Sequence, residues 1–146
     1  MSQETKPEVP ANLSQLKKSI NRAANWRERL DTVEELGQWK SRETIELLRY
    51  CMAGDAVFKI RKAAFRKLRD LGEDVSEPER SNDEPIKGTA KTLLRIKKSL
   101  PKDHSYEDFR EKVKKMRIDL YDTYEGEKGE EFDQWLKESW NSIVLK

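Results

Sequence analysis

The chain holds one cysteine, one histidine, six glycines and five prolines in 146 residues, and each scarcity excludes something. A single thiol, Cys51, leaves no internal disulfide and no all-cysteine metal site. A single histidine, His104 beside Asp103, is too little for a Ser-His-Asp triad or a zinc centre. There is no glycine-rich phosphate loop and no Gly-Lys-Ser/Thr, the elements that cradle a nucleotide. No apolar run approaches the roughly 18 residues that span a bilayer. Met1–Ala11 is polar and carries Pro7 and Pro10, unlike a secretory leader. The expectation is a cytoplasmic protein with no membrane partner. Alternating apolar and polar runs of strand length are also missing, and β-branched residues are few.

Charge is abundant: 40% of residues are charged, yet 30 basic and 28 acidic side chains leave a net charge of only +2. Leu, Ile, Val and Phe together make up about one residue in five, just above the composition at which chains stop folding. The core must be thin and shared among few elements. The apolar spacing is helical throughout. Leu13, Leu16, Ile20 and Ala24 recur at three- and four-residue steps, as do Trp26, Leu30, Val33 and Leu36, then Ile45, Leu48 and Met52. Val57, Ile60, Ala64, Leu68 and Leu71 form a full stripe. Ile86, Ala90 and Leu93 follow, then Tyr106, Phe109, Val113, Met116 and Leu120, then Phe132, Trp135 and Ile143. Asn25, Ser41, Asp55 and Ser105 stand where helix caps are wanted. Gly37, Gly54 and Gly72 stand where a left-handed residue closes a helix. Further breaks are placed at Pro101–His104 and Gly126–Gly129. The reading is an all-α fold of about seven helices.

Two segments align at an offset of 35 residues: Leu30, Val33, Leu36 and Gly37 match Phe65, Leu68, Leu71 and Gly72. A period of this size points to a helical solenoid. The segment 55–72 resembles the second helix of a HEAT repeat, through a turn Asp (Asp55), an aliphatic–Arg pair (Ile60-Arg61), small residues (Ala63-Ala64), Leu68 and a Leu-Gly end (Leu71-Gly72). Trp26-Arg27 through Leu36-Gly37 is similar. The resemblance covers about 12–74 and implies a short HEAT-like α-solenoid of two helix pairs, followed by about three further helices. The domain expectation is a disordered arm at 1–11, repeats at 12–74, an acidic linker at 75–85, and a helical region at 86–146 that packs on or caps the repeats; a separate small helical unit over 86–146 is the alternative. Some HEAT-like proteins act on bilins or excise DNA bases, but both need a deep cleft with a placed acid, which two repeats do not make. Catalysis, cofactors and metals are therefore not expected here.

The charges are segregated. Residues 87–117 carry eleven bases and four acids, whereas 119–133 carry seven acids and one lysine. The basic stripe Lys59, Lys62, Arg66 and Arg69 is matched at the repeat offset by Asp31 (to Arg66) and Glu34 (to Arg69), which predicts inter-repeat ion pairs. Trp26 reads as core and Trp39 as a turn staple or a surface contact. Trp135 and Trp140 are five residues apart, so one is expected to pack inward and the other to meet a neighbouring helix or a partner, with Tyr121 and Tyr124 adding to that patch. The leading expectation is an adaptor that binds another protein through Trp39, Arg66, Arg69, Trp135 and Trp140. The alternative is nucleic-acid binding through Lys91, Arg95, Lys98, Lys102, Arg110, Lys114 and Arg117, unless 119–133 folds back on that segment. A DNA-modifying enzyme of HEAT-type fold is a distant third.

Overall fold

Asn25 turns its side-chain oxygen onto the backbone N–H of Glu28 at 3.0 Å, and Ser41 and Ser105 each close a capping box, with Thr44 and Asp108 as the reciprocal partners. These caps satisfy amides that a helix start leaves orphaned, and they open three of the helices where the sequence places them. The computed structural model describes residues 8–22, 24–80 and 84–144. Among them are eight α-helices, one short 3-10 turn and no extended strand. The arm expected at 1–11 falls largely outside the described residues.

The chain divides into two compact units, 1–81 and 82–146. The first holds α1 (Leu13–Ile20), α2 (Trp26–Leu36), α3 (Arg42–Gly54) and α4 (Phe58–Asp70). α2 packs against α1, α3 and α4, and α3 lies along α4. Their shared core is the set of stripes read from the sequence: Leu16, Ile20, Trp26, Val33, Leu36, Leu48, Cys51, Val57, Ile60, Ala64, Leu68 and Leu71, with Val75 added from the segment after α4. Burial pushes the Cys51 thiol up to about 12, with the Asp55 carboxylate adding to the effect.

Three local expectations are corrected. Asp55 does not open the last helix of this unit; it ends α3, and α4 begins three residues later at Phe58. Its carboxylate instead accepts from the Val57 N–H at 2.9 Å, an Asx turn that bends the chain between the helices. Of the three stop glycines, only Gly72 is left-handed, at φ +88°; Gly54 is the last residue of α3. Gly37 has right-handed backbone (φ −65°) and lies against the aliphatic stem of Lys67, which a Cβ there would displace.

The second unit holds α5 (Thr89–Lys98), α6 (Tyr106–Met116), α7 (Ile118–Lys128), the 3-10 turn Gly129–Glu131 and α8 (Phe132–Ser142). The 106–120 stripe is therefore two helices, broken at Arg117 (φ −139°, ψ 67°). The supposed break at Gly126 lies inside α7, and Gly126 is buried. Leu93 and Ile96 of α5, Tyr106, Phe109 and Val113 of α6, Leu120, Tyr121 and Tyr124 of α7, and Phe132 and Leu136 of α8 form the core. Thr89 joins α5 to α7: its hydroxyl donates to the Ile86 carbonyl at 2.7 Å, which leaves its lone pairs to accept from the Tyr124 hydroxyl at 2.8 Å.

Candidate interaction surfaces

The basic stripe of α4 is largely engaged within its own unit. Lys67 pairs with Glu34 at 3.0 Å and Lys62 with Glu77 at 3.7 Å. The Lys59 ammonium sits 4.8 Å from the centre of the Trp26 ring, and Arg69 lies over Phe65 at 5.9 Å. The repeat offset thus places Glu34 against α4 correctly but misses the partner by two residues, Lys67 in place of Arg69. Asp31 and Arg66 are both exposed and form no ion pair among the described residues.

The strongest polar feature of the first unit joins the two helix hairpins. Arg29, on α2, grips Asp55 with two nitrogens, at 2.9 Å (Nε to Oδ2) and 3.4 Å (Nη2 to Oδ1). Both side chains are almost completely buried, 5% and 4% exposed. Arg29 also donates to the Arg22 carbonyl at 2.5 Å, and Arg61 donates to the Asp55 carbonyl at 2.6 Å. This network ties the α1–α2 and α3–α4 connections to α2 and α4. The sequence singled out Asp55 and Arg61 but not Arg29; its only signal is an arginine one turn inside a helix, on the side of Trp26 and Val33.

The five protein-binding candidates fall in both units. Arg66 and Arg69 are exposed on α4, and Trp39 is half-buried after α2 with its indole N–H toward Glu35 at 3.5 Å. Trp135 and Trp140 do point in different directions, as five-residue spacing requires, but both pack against their own unit. Trp135 stacks on Tyr124 with ring centres 4.4 Å apart. Trp140 meets Tyr106, Phe109 and His104 at 5.6, 6.4 and 5.7 Å. Its indole N–H donates to His104 Nε2 at 2.8 Å. Tyr121 and Tyr124 are buried, each 5% exposed, so no exposed tyrosine patch forms there.

The seven nucleic-acid candidates separate into two groups. Arg110, Lys114 and Arg117 face acidic and aromatic groups of α7 and α8. Arg110 reaches the Tyr121 hydroxyl at 3.2 Å and Asp133 at 3.5 Å, and Lys114 lies over the Tyr121 ring. Arg117 forms a two-nitrogen pair with Asp119, at 3.0 and 3.1 Å, and donates to Thr92 on α5 at 3.4 Å. Its hydrogen bond holds the Asp119 carboxyl below the ordinary carboxylate value. The acidic 119–133 stretch thus neutralises the α6 end of the basic segment. Lys91, Arg95, Lys98 and Lys102 are exposed and make no ion pair among the described residues. Lys97 points elsewhere, its ammonium capping the end of α8 at the carbonyls of Trp140 (2.6 Å) and Ile143 (2.8 Å).

Among the described residues, no group of three or more His, Cys, Asp or Glu is placed to hold a metal ion, and no helix is long and apolar enough to cross a membrane. Compared with family models, curated proteins and solved structures, the chain matches none.

Proposed function

We propose that the chain is a small HEAT-like helical adaptor that mediates protein–protein interaction and carries out no catalysis of its own. The observation that carries this reading is the arrangement of the first unit. Two helix hairpins lie side by side with their second helices, α2 and α4, in contact, and a buried arginine–aspartate pair links α2 to the segment between α3 and α4. Helical-repeat stacks of this kind present continuous surfaces to partners. Arg66 and Arg69 stand exposed on α4 as contact residues, with Trp39 at the turn after α2 and the outer edges of Trp135 and Trp140 on the second unit. The test is affinity capture with the full chain from its native cytosol, with and without nuclease, read by mass spectrometry. The reading expects one protein to be enriched in both arms and lost with R66E/R69E. Recovery of nothing above background overturns it.

A nucleic-acid reading is favoured by one specific observation, the four exposed cations Lys91, Arg95, Lys98 and Lys102, which make no ion pair among the described residues. It expects a labelled single strand or duplex to shift at about 50 mM salt and to release steeply as salt rises. Absence of any shift at that salt removes it.

A further inference from the structure

The helical period gives α5 three sides. Leu93 and Ile96 face the core, Thr92 meets Arg117 of the α6–α7 corner, and Lys97 meets the end of α8. What remains is one outward strip on which Lys91, Arg95 and Lys98 follow one another at one-turn steps, with Lys87 before and Lys102 after. All five cations are exposed, and none makes an ion pair among the described residues. Leu94 lies at the edge of the same strip, half-buried and outside the core. From Lys91 to Lys98 the strip runs about 10 Å along the helix axis.

Resting on the adaptor reading above, we propose that the solvent face of α5 is a docking strip for an acidic helical segment of a partner protein. Carboxylates one turn apart on that segment meet Lys91, Arg95 and Lys98, and an apolar side chain between them covers Leu94. Charge complementarity argues for an acidic occupant, and three features argue for a protein rather than a nucleic acid. Residues 82–146 carry fourteen bases and fourteen acids, so the unit has no net charge to draw a long polyanion from a distance. The strip is one helix wide, because Arg110 and Arg117 beyond it are held by Asp133 and Asp119. Trp135 stacks on Tyr124 and Trp140 packs at a tilt against Tyr106, with Lys128 and Lys97 over their rings, so among the described residues of this unit neither indole presents an open face for bases to stack on, whereas Leu94 is matched by an apolar side chain.

The experiment uses the full chain and fluorescence anisotropy at low salt. One probe is a stapled helical peptide of Glu and Ala with Glu at one-turn steps and a single Leu on that face. The second is a peptide of the same composition with its Glu residues spread around the helix, and the third is a single-stranded oligonucleotide of equal charge. The proposal expects the first probe to bind about tenfold tighter than the second, the sum of three weak exposed ion pairs. It expects K91E/R95E/K98E to lose that binding with an unchanged melting curve, and Leu94→Asp to weaken it several-fold. Equal binding of the two peptides, indifference to the triple reversal, or tighter binding of the oligonucleotide overturns it. Capture with the triple-reversed chain separates the two claims: a partner retained by that variant keeps the adaptor reading and removes the strip. If the unmodified chain captures nothing, the adaptor reading falls, and the peptide comparison alone decides the strip.

Discussion

A buried carboxylate deprived of its guanidinium sits in a poorly polarisable interior with nothing to neutralise it, and that is the state Arg29→Met creates at Asp55. Removing one partner of such a pair costs about 3–5 kcal/mol, far more than the pair contributes over an apolar replacement. The first unit is therefore expected to lose most of its stability in R29M or D55A, seen as a large fall in the urea midpoint. The double variant R29M/D55A should cost clearly less than the two single losses added; full additivity would show that the two side chains do not act as a pair. Cys51 offers a second residue-scale test. Burial beside Asp55 raises its thiol to about 12, and the thiolate is the reactive form. Iodoacetamide at pH 8 should leave Cys51 unmodified in the native protein and label it at once in denaturant. Rapid native labelling would mean that α3 opens readily.

At the scale of the element, α7 shows where legibility ends. The six amphipathic helices from α1 to α6 announce themselves by a stripe, and α8 does so through Phe132 and Trp135, though its fully buried Leu136 is not on that stripe. α7 buries Leu120, Tyr121, Asp122, Thr123, Tyr124 and Gly126, positions that run around its whole circumference. A helix enclosed on all sides has no polar face to set a period against, and its acids and glycines read as a break. For the same reason Tyr121 and Tyr124 looked exposed, when α6, α8 and Thr89 cover them. The cost of burying those phenols fixes a pH response. Tyr106, hydrogen-bonded to Asp133 at 2.7 Å, and Tyr124 are both held above the ordinary tyrosine value of 10.0, chiefly by burial. A folded value raised above the unfolded one means that the stabilisation is complete below pH 10 and is lost as pH rises through the folded values. The second unit is expected to unfold in alkali as its buried tyrosines ionise, with the 295 nm tyrosinate absorbance and the loss of helix rising together. Full tyrosinate absorbance with intact helix would contradict this. The end of α8 carries its own test. An indole N–H only donates, so His104 Nε2 is the acceptor and its Nδ1 holds the proton, which it donates to the Pro101 carbonyl at 2.6 Å. His104→Ala, which strands a half-buried donor, should cost about 1–3 kcal/mol, and a ¹⁵N spectrum should show the Nδ1–H tautomer.

For the molecule as a whole, the question is what 58 charged side chains do in a chain with so few large apolar residues. Local segregation was legible in the sequence; the pairing was not, because partners such as Arg49 with Glu73, or Arg110 with Asp133, depend on how helices cross rather than on any spacing along the chain. Most ion pairs sit at the surface: Arg42 and Glu46 are 87% and 64% exposed, and Arg22, Lys62 and Arg110 are also open to water. Exposed pairs contribute about 0–1 kcal/mol each and are screened by salt. Cohesion must then come from the two apolar clusters and from the buried pair Arg29–Asp55, which salt reaches poorly. Raising salt from about 20 mM to 1 M should therefore change the unfolding free energy by less than about 2 kcal/mol, while abolishing any contact made through Lys91, Arg95 and Lys98. Parallel thermal melts and peptide-binding isotherms across that range check both halves. A melting temperature that collapses with salt would show that surface charge holds the fold, and stable binding at 1 M would show that α5 docks by apolar contact alone.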